Sequence, residues 1–261
     1  MILTLYFYWY SSRVAMEVIS PEGLRNDGRR PHELRRFVGK LCVSAEANGS
    51  AYVEMGNSKI LVAVYGPREV LGGAGRSKIT QEEACVNCEV ALSEFCSTER
   101  KDSSKNDRPA AEIASAIEEI FESAILTHLY PESQIDIFIE VLEADGSLVA
   151  AAVNASTLAV MQAGLPMRDF VCASTVSLVN DEPVVDLNHL EELLVGSILT
   201  LAVMPTRKSR IFLDMSSRFH LTSLEVVTKA AEEACEKVYL EIRDLLSKLV
   251  EYVGSRMKPE S

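Results

Sequence analysis

Basic residues are in short supply: 26 Lys and Arg stand against 38 Asp and Glu, a net charge of -12 over 261 residues. A chain of that balance is repelled by phosphate backbones at long range, so a nucleic-acid role requires a local basic patch. The shortage is concentrated. From Pro109 to Met167 there is no Lys or Arg at all, while Glu112, Glu118, Glu119, Glu122, Glu132, Asp136, Glu140, Glu143 and Asp145 are all acidic. The span from Pro21 to Lys40 runs the other way, with Arg25, Arg29, Arg30, Arg35, Arg36 and Lys40, so the molecule is electrically polarised.

Metal-binding patterns are also missing. Cys85 and Cys88 have C-x-x-C spacing, but no second C-x-x-C and no spaced His pair completes four ligands, and the segment reads as a strand on which they point to opposite faces. The six cysteines are scattered through a chain too large to need disulfide staples, and they read as reduced thiols of an intracellular protein. His32, His128, His189 and His220 are isolated, so no metal and no cofactor is expected. The apolar opening, Met1 to Tyr10, is far shorter than the ~20 residues of a membrane-spanning helix and lacks a basic start. Residues 1–15 are read as a leader outside the fold, from an upstream extension or a mis-chosen start.

What is present is an ordinary globular pattern, 48% hydrophobic and 25% charged. Alternation and turn residues predict strands over Phe37–Ala47, Ser50–Met55, Lys59–Tyr65 and Cys85–Phe95, with Asn48-Gly49 and Gly56-Asn57 as hairpin signals. Helical spacing predicts Ala110–His128, stopped by Pro131. A strand over Gln134–Leu142 leads through Asp145-Gly146-Ser147 into an alanine-rich helix, Val149–Ala163. Strands over Phe170–Leu178, Pro183–Asp186, Ser197–Met204 and Arg210–Asp214 and a long helix, Thr222–Tyr252, complete an α+β order. One domain is expected over 16–253, with 254–261 as a C-terminal tail.

Five strings in this order carry a resemblance: LRNDGRRPHELRRF (Leu24–Phe37), NSKILVAVYGPRE (Asn57–Glu69), VLEADGS (Val141–Ser147), AGLPMRD (Ala163–Asp169) and Asp186-Leu187-Asn188. The chain resembles the RNase PH family, and within it the animal-type ring subunit of the eukaryotic RNA exosome that is related to the active-site-bearing archaeal subunit. The resemblance implies the RNase PH-like fold (ribosomal protein S5 domain 2-like), with mixed sheets packed on central helices. It also implies a six-membered ring with other RNase PH-like subunits, cap proteins, hydrolytic nucleases and RNA as partners, acting in 3′–5′ RNA degradation and ribosomal RNA processing in nucleus, nucleolus and cytoplasm.

Active relatives perform phosphorolysis, which needs donors or cations for the attacking phosphate and acids for a metal or proton. The family's Gly-Gly-Thr-Arg type phosphate turn corresponds here to Gly146-Ser147-Leu148-Val149, with Val149 where the arginine belongs. The phosphate-binding positions Ser147, Leu148 and Val149 are therefore read as degenerate. Aligning the family's aspartate pair on Glu191-Glu192 places Leu193 and Leu199 at the acid positions. An arginine pair before the first helix is reduced to Arg108-Pro109. At ~3 kcal/mol for each of three losses, the rate falls by roughly six orders of magnitude, so a non-catalytic member is expected. The alternative is a residual phosphorolytic exoribonuclease in which Glu192 substitutes, working with a dimer partner; a third reading is a free-standing protein-binding module. Arg68, Arg76, Arg100, Lys101 and Arg108, on loops without aromatic residues, correspond to RNA-facing positions and suit backbone contact rather than base reading.

Overall fold

The computed structural model describes residues 18–20, 22–69, 83–97, 108–180, 182–217 and 219–257, with side chains to 251. The leader, the glycine-rich loop holding Arg76, and the loop holding Arg100 and Lys101 lie outside the described residues. A five-stranded sheet is ordered β1-β2-β3-β5-β4, from β1 (Phe37–Leu41), β2 (Gly49–Met55), β3 (Ser58–Glu69), β4 (Cys85–Leu92) and β5 (Ser133–Glu143). All its pairs are antiparallel except β4 with β5. The second sheet, β7-β6-β8-β9, is antiparallel and uses β6 (Cys172–Val179), β7 (Glu182–Val185), β8 (Ile198–Met204) and β9 (Ser209–Met215).

Helix α1 (Arg108–Ala124) covers β4, while α2 (Leu148–Gln162) packs on both sheets and touches α1. From Ala150 to Val160 every residue of α2 is buried, which is why it is apolar all round rather than amphipathic. Its alanines permit the close approach. A short helix, α3 (His189–Leu194), precedes β8, and α4 (Leu221–Met257) lies against β6, β7, β8 and β1.

The predicted strand and helix order is observed, with three differences. Asn48-Gly49 does not form the tight turn: Gly49 already pairs with Val64 in β2. A Cβ there would sit 2.1 Å from the Ala159 carbonyl oxygen, so the glycine serves the contact between sheet and helix. The tight turn is instead Gly56-Asn57, closed by Met55 opposite Ser58 with Gly56 at φ +62. Residues 189–194 form a short helix where none is predicted. Finally, α4 continues to Met257, into the stretch expected to be a tail.

A buried ionic network ties the amino-terminal arm to both sheets. Arg35 donates from its backbone and its guanidinium to the Asp186 carboxylate, at 2.7 to 3.0 Å, and also to the carbonyls of Asp145 and Gly146. Arg25 is clamped on Glu191 and donates to the carbonyls of Val185 and Asp186. All four side chains are at most 5% exposed. Burial alone would push the Asp186 carboxyl up, but the Arg35 charge, its hydrogen bonds and the Arg29 charge outweigh this and hold it below the ordinary value. Asp186→Asn leaves Arg35 buried without its counter-charge, and urea unfolding is expected to lose about 3–5 kcal/mol. The depressed carboxyl contributes stability that is complete above its unfolded value, near pH 4, and disappears as pH falls through the lower folded value. That part of the acid sensitivity should be absent in the variant.

Candidate functional site

The turn that opens α2 is built by neighbours on three sides. Gly146, at φ +74, lies so close to the 187–189 segment that a Cβ would meet the Leu187 carbonyl oxygen at 2.4 Å. Only glycine fits that approach. Ser58 Oγ donates to the Gly146 carbonyl and accepts from the Asp145 amide. The Asp145 carboxylate accepts from Asn57 Nδ2 at 3.0 Å and from the His189 amide at 3.3 Å. Ser147 is buried at φ +51, and its hydroxyl donates to the Leu187 carbonyl instead of facing a ligand.

One amide donor at this helix start is already used. The Ser147 amide donates to Glu192 Oε1 at 2.7 Å, so a carboxylate of the protein sits at the positive end of α2, where an anion is favoured. Burial pushes the Glu192 carboxyl above its ordinary value; the Ser147 amide, His189 and Arg35 oppose the shift, and Asp145 adds to it. No cation is added by the next two positions, because Leu148 and Val149 are partly buried and pack against the core. Arg35 is near, but its guanidinium is committed to Asp186 and two carbonyls.

The two leucines assigned to lost acid positions sit in different environments. Leu193 is 71% exposed on α3, while Leu199 is fully buried in β8. Helix geometry separates the neighbouring acids as well. Glu191 turns inward to Arg25 and accepts from the Asn188 amide at 2.9 Å, and Glu192 turns to Ser147. The pattern Asn188-x-x-Glu191 is a helix-start signal that could have located α3 in the sequence. The inward role of Glu191 carries no such signal, because its partner lies 166 positions away.

Beside the turn runs a cleft of about 530 Å³ lined by Asn57, Lys59, Phe95, Ser97, Leu142, Glu143, Ala144, Asp145 and His189. The cation among these residues, Lys59, is paired with Glu143 at 2.7 Å. Of the positions expected to face RNA, Arg68 and Arg108 are described. Arg68 lies on β3 just beyond the cis Gly66-Pro67 peptide; it is half exposed and ion-paired to the buried Asp136, which also accepts from Asn87. Arg108 begins α1, with its side chain 90% exposed and in an i,i+4 pair with Glu112. Cys85 and Cys88 lie on β4; burial, with Glu118 and Glu89, pushes the Cys88 thiol up to about 12, which leaves it protonated. Among the described residues no His, Cys, Asp or Glu side chains are grouped to hold a metal.

The geometry at Glu192 makes a specific expectation for Glu192→Gln. The amide oxygen still accepts from Ser147 without a buried charge, so the variant should melt at or above the wild-type temperature at pH 7. Because the wild-type carboxyl is raised, it costs stability mainly above its folded value, and the difference should vanish below its ordinary value near pH 4.3.

Comparison with known proteins places the chain. The family model described as 3′ exoribonuclease family, domain 1 (RNase_PH), matches residues 33–166, and that for domain 2 (RNase_PH_C) matches 169–235. The chain is 46% identical over 224 residues to exosome complex component RRP41 of Mus musculus, covering 86% of this chain and 91% of that one. It is 36% identical over 233 residues to exosome complex component SKI6 of Saccharomyces cerevisiae, covering 88% and 92%. Its fold matches rice (Oryza sativa) Rrp46 with a TM-score of 0.74 at 22% identity, over 85% of this chain and all of that one. It also matches a chain of the Archaeoglobus fulgidus exosome with RNA bound to the active site, at 0.73 and 19% identity, over 84% and 93%. On the family-model matches and these identities, the chain belongs to the RNase PH family of 3′ exoribonucleases.

Proposed function

We propose that this chain is a non-catalytic ring subunit of the RNA exosome, which shapes a channel and guides RNA 3′ ends toward nucleases held elsewhere on the complex. Membership in the assembly is supported by relatives named as exosome components over most of the chain. The single observation that carries the non-catalytic reading is the start of α2. Its Ser147 amide is occupied by Glu192, and hydrocarbon at Leu148 and Val149 follows where a phosphate clamp would need a cation.

The proposal takes residues 16–253 as one RNase PH-like unit within a six-membered ring, with other RNase PH-like subunits, cap proteins, hydrolytic nucleases and RNA as partners, in nucleus, nucleolus and cytoplasm. RNA contact rests on Arg68 and Arg108, joined by Arg76, Arg100 and Lys101. Asp136 holds one edge of the Arg68 guanidinium while the half-exposed remainder is free to meet a phosphate track. Residual phosphorolysis remains the second reading, favoured by one observation: the Glu192 carboxyl, with its raised pKa, points at the start of α2 beside Asp145 and His189.

An assay separates the two. The purified chain, alone and with its ring partner, is incubated with oligo-A, Mg²⁺ and orthophosphate, and no nucleoside diphosphate is expected. Phosphate-dependent release that disappears in Glu192→Ala would establish the enzyme reading instead. In the assembled ring, Arg68→Glu with Arg108→Glu is expected to reduce RNA crosslinking several-fold, and unchanged crosslinking would remove both residues from the RNA path.

A further inference from the structure

The short helix α3 carries apolar side chains that face water. Leu190, Leu193 and Leu194 are 54%, 71% and 45% exposed, and their i, i+3 and i+4 spacing puts them on one face. A single exposed leucine needs no explanation, but a contiguous apolar face marks a contact surface. This face runs into a cavity of about 420 Å³, lined among others by Leu178, Leu194, Val195, Val18 and Ser217. The Ser217 hydroxyl is buried and has no hydrogen-bond partner among the described residues. A buried hydroxyl left unpaired costs stability, so a segment with backbone polar groups belongs beside it.

The position of Val18 says which segment. The amino-terminal arm is fixed to α3 at two points: Arg25 is clamped on Glu191, and Val18, 7% exposed, sits in the cavity with Leu194 and Val195. The chain upstream of Val18 is therefore tethered at the margin of the leucine face. Residues 2–10 read ILTLYFYWY, without one charged side chain, which is the composition that an apolar face selects. The link from Tyr10 to Val18 reaches up to about 26 Å when extended, while all of α3 is about 9 Å long. Reach is no limit. Tethering also gives the segment an effective concentration on the order of mM, an advantage that no separate chain has.

We infer that the apolar leader, residues 2–10, folds back onto the leucine face of α3 and the cavity at Val18, and so covers the helix that places Glu192 at the start of α2. The inference does not depend on the ring reading. Trp9 is the protein's single tryptophan, so its fluorescence reports on the leader alone. In the full chain, with the leader confirmed by intact mass, Trp9 emission should be blue-shifted and acrylamide quenching several-fold weaker than in urea, independent of protein concentration. Leu190→Ser with Leu193→Ser should melt cooperatively yet bring Trp9 quenching close to the unfolded value. Leu240→Ser, at a comparably exposed leucine of α4, should leave Trp9 as in wild type. If the double variant does not fold, Leu193→Ser alone must still raise the quenching. Deleting residues 2–15 should speed hydrogen exchange of the 189–196 amides several-fold. Trp9 as quenchable in the native wild type as in urea would overturn the proposal, as would shielding that the folded α3 variants leave intact. Shielding that fades on dilution would overturn it too, because the leader would then be meeting a second copy. Unchanged exchange at 189–196 after the deletion would remove α3 as the docking face.

Discussion

Two buried arginines hold the molecule in register. Arg35 bonds at once to the Asp186 side chain and to the backbone that opens α2, and Arg25 joins Glu191 to the end of β7. Each pair links segments more than 150 positions apart in sequence. Buried pairs of this kind add little net stability against a well-packed apolar substitute, but losing one member strands the other. Their effect is geometric: the amino-terminal arm, the start of α2 and α3 are fixed relative to one another. The tight fit of Gly146 under the 187–189 backbone then follows, because the two strips cannot drift apart.

That geometry also decides what the start of α2 can do. A helix start with a free amide is an invitation to an anion. Here the invitation is answered from within by Glu192, a residue placed by a helix only six residues long. An internal carboxylate satisfies the Ser147 donor without any cation, which is consistent with hydrocarbon at Val149. On the proposed reading, the site has been closed by local side-chain bonding rather than by collapse of the fold.

Most of the fold was legible because periodicity is a local property. The β3 and β5 alternations, the alanine-rich run of α2 and the start of α4 could be read directly from the residues. What could not be read depended on distant partners. Gly49 looked like half of a turn, and only the presence of Ala159 against it reveals why a side chain is excluded. Leu193 and Leu199 looked like paired positions six residues apart, but one sits on a helix facing water and the other in a strand facing the core. Arg68 was visible as a loop cation, whereas its buried partner Asp136 comes from a strand that pairs with β3 only in three dimensions.

The all-round burial of α2 has a dynamic consequence. A helix touching both sheets has no exposed face along which to fray, so its central amides should exchange with solvent only when the whole molecule opens. Its first turn is therefore anchored to the slowest-opening part of the chain, and any rearrangement there has to come from the side chains around it rather than from the helix.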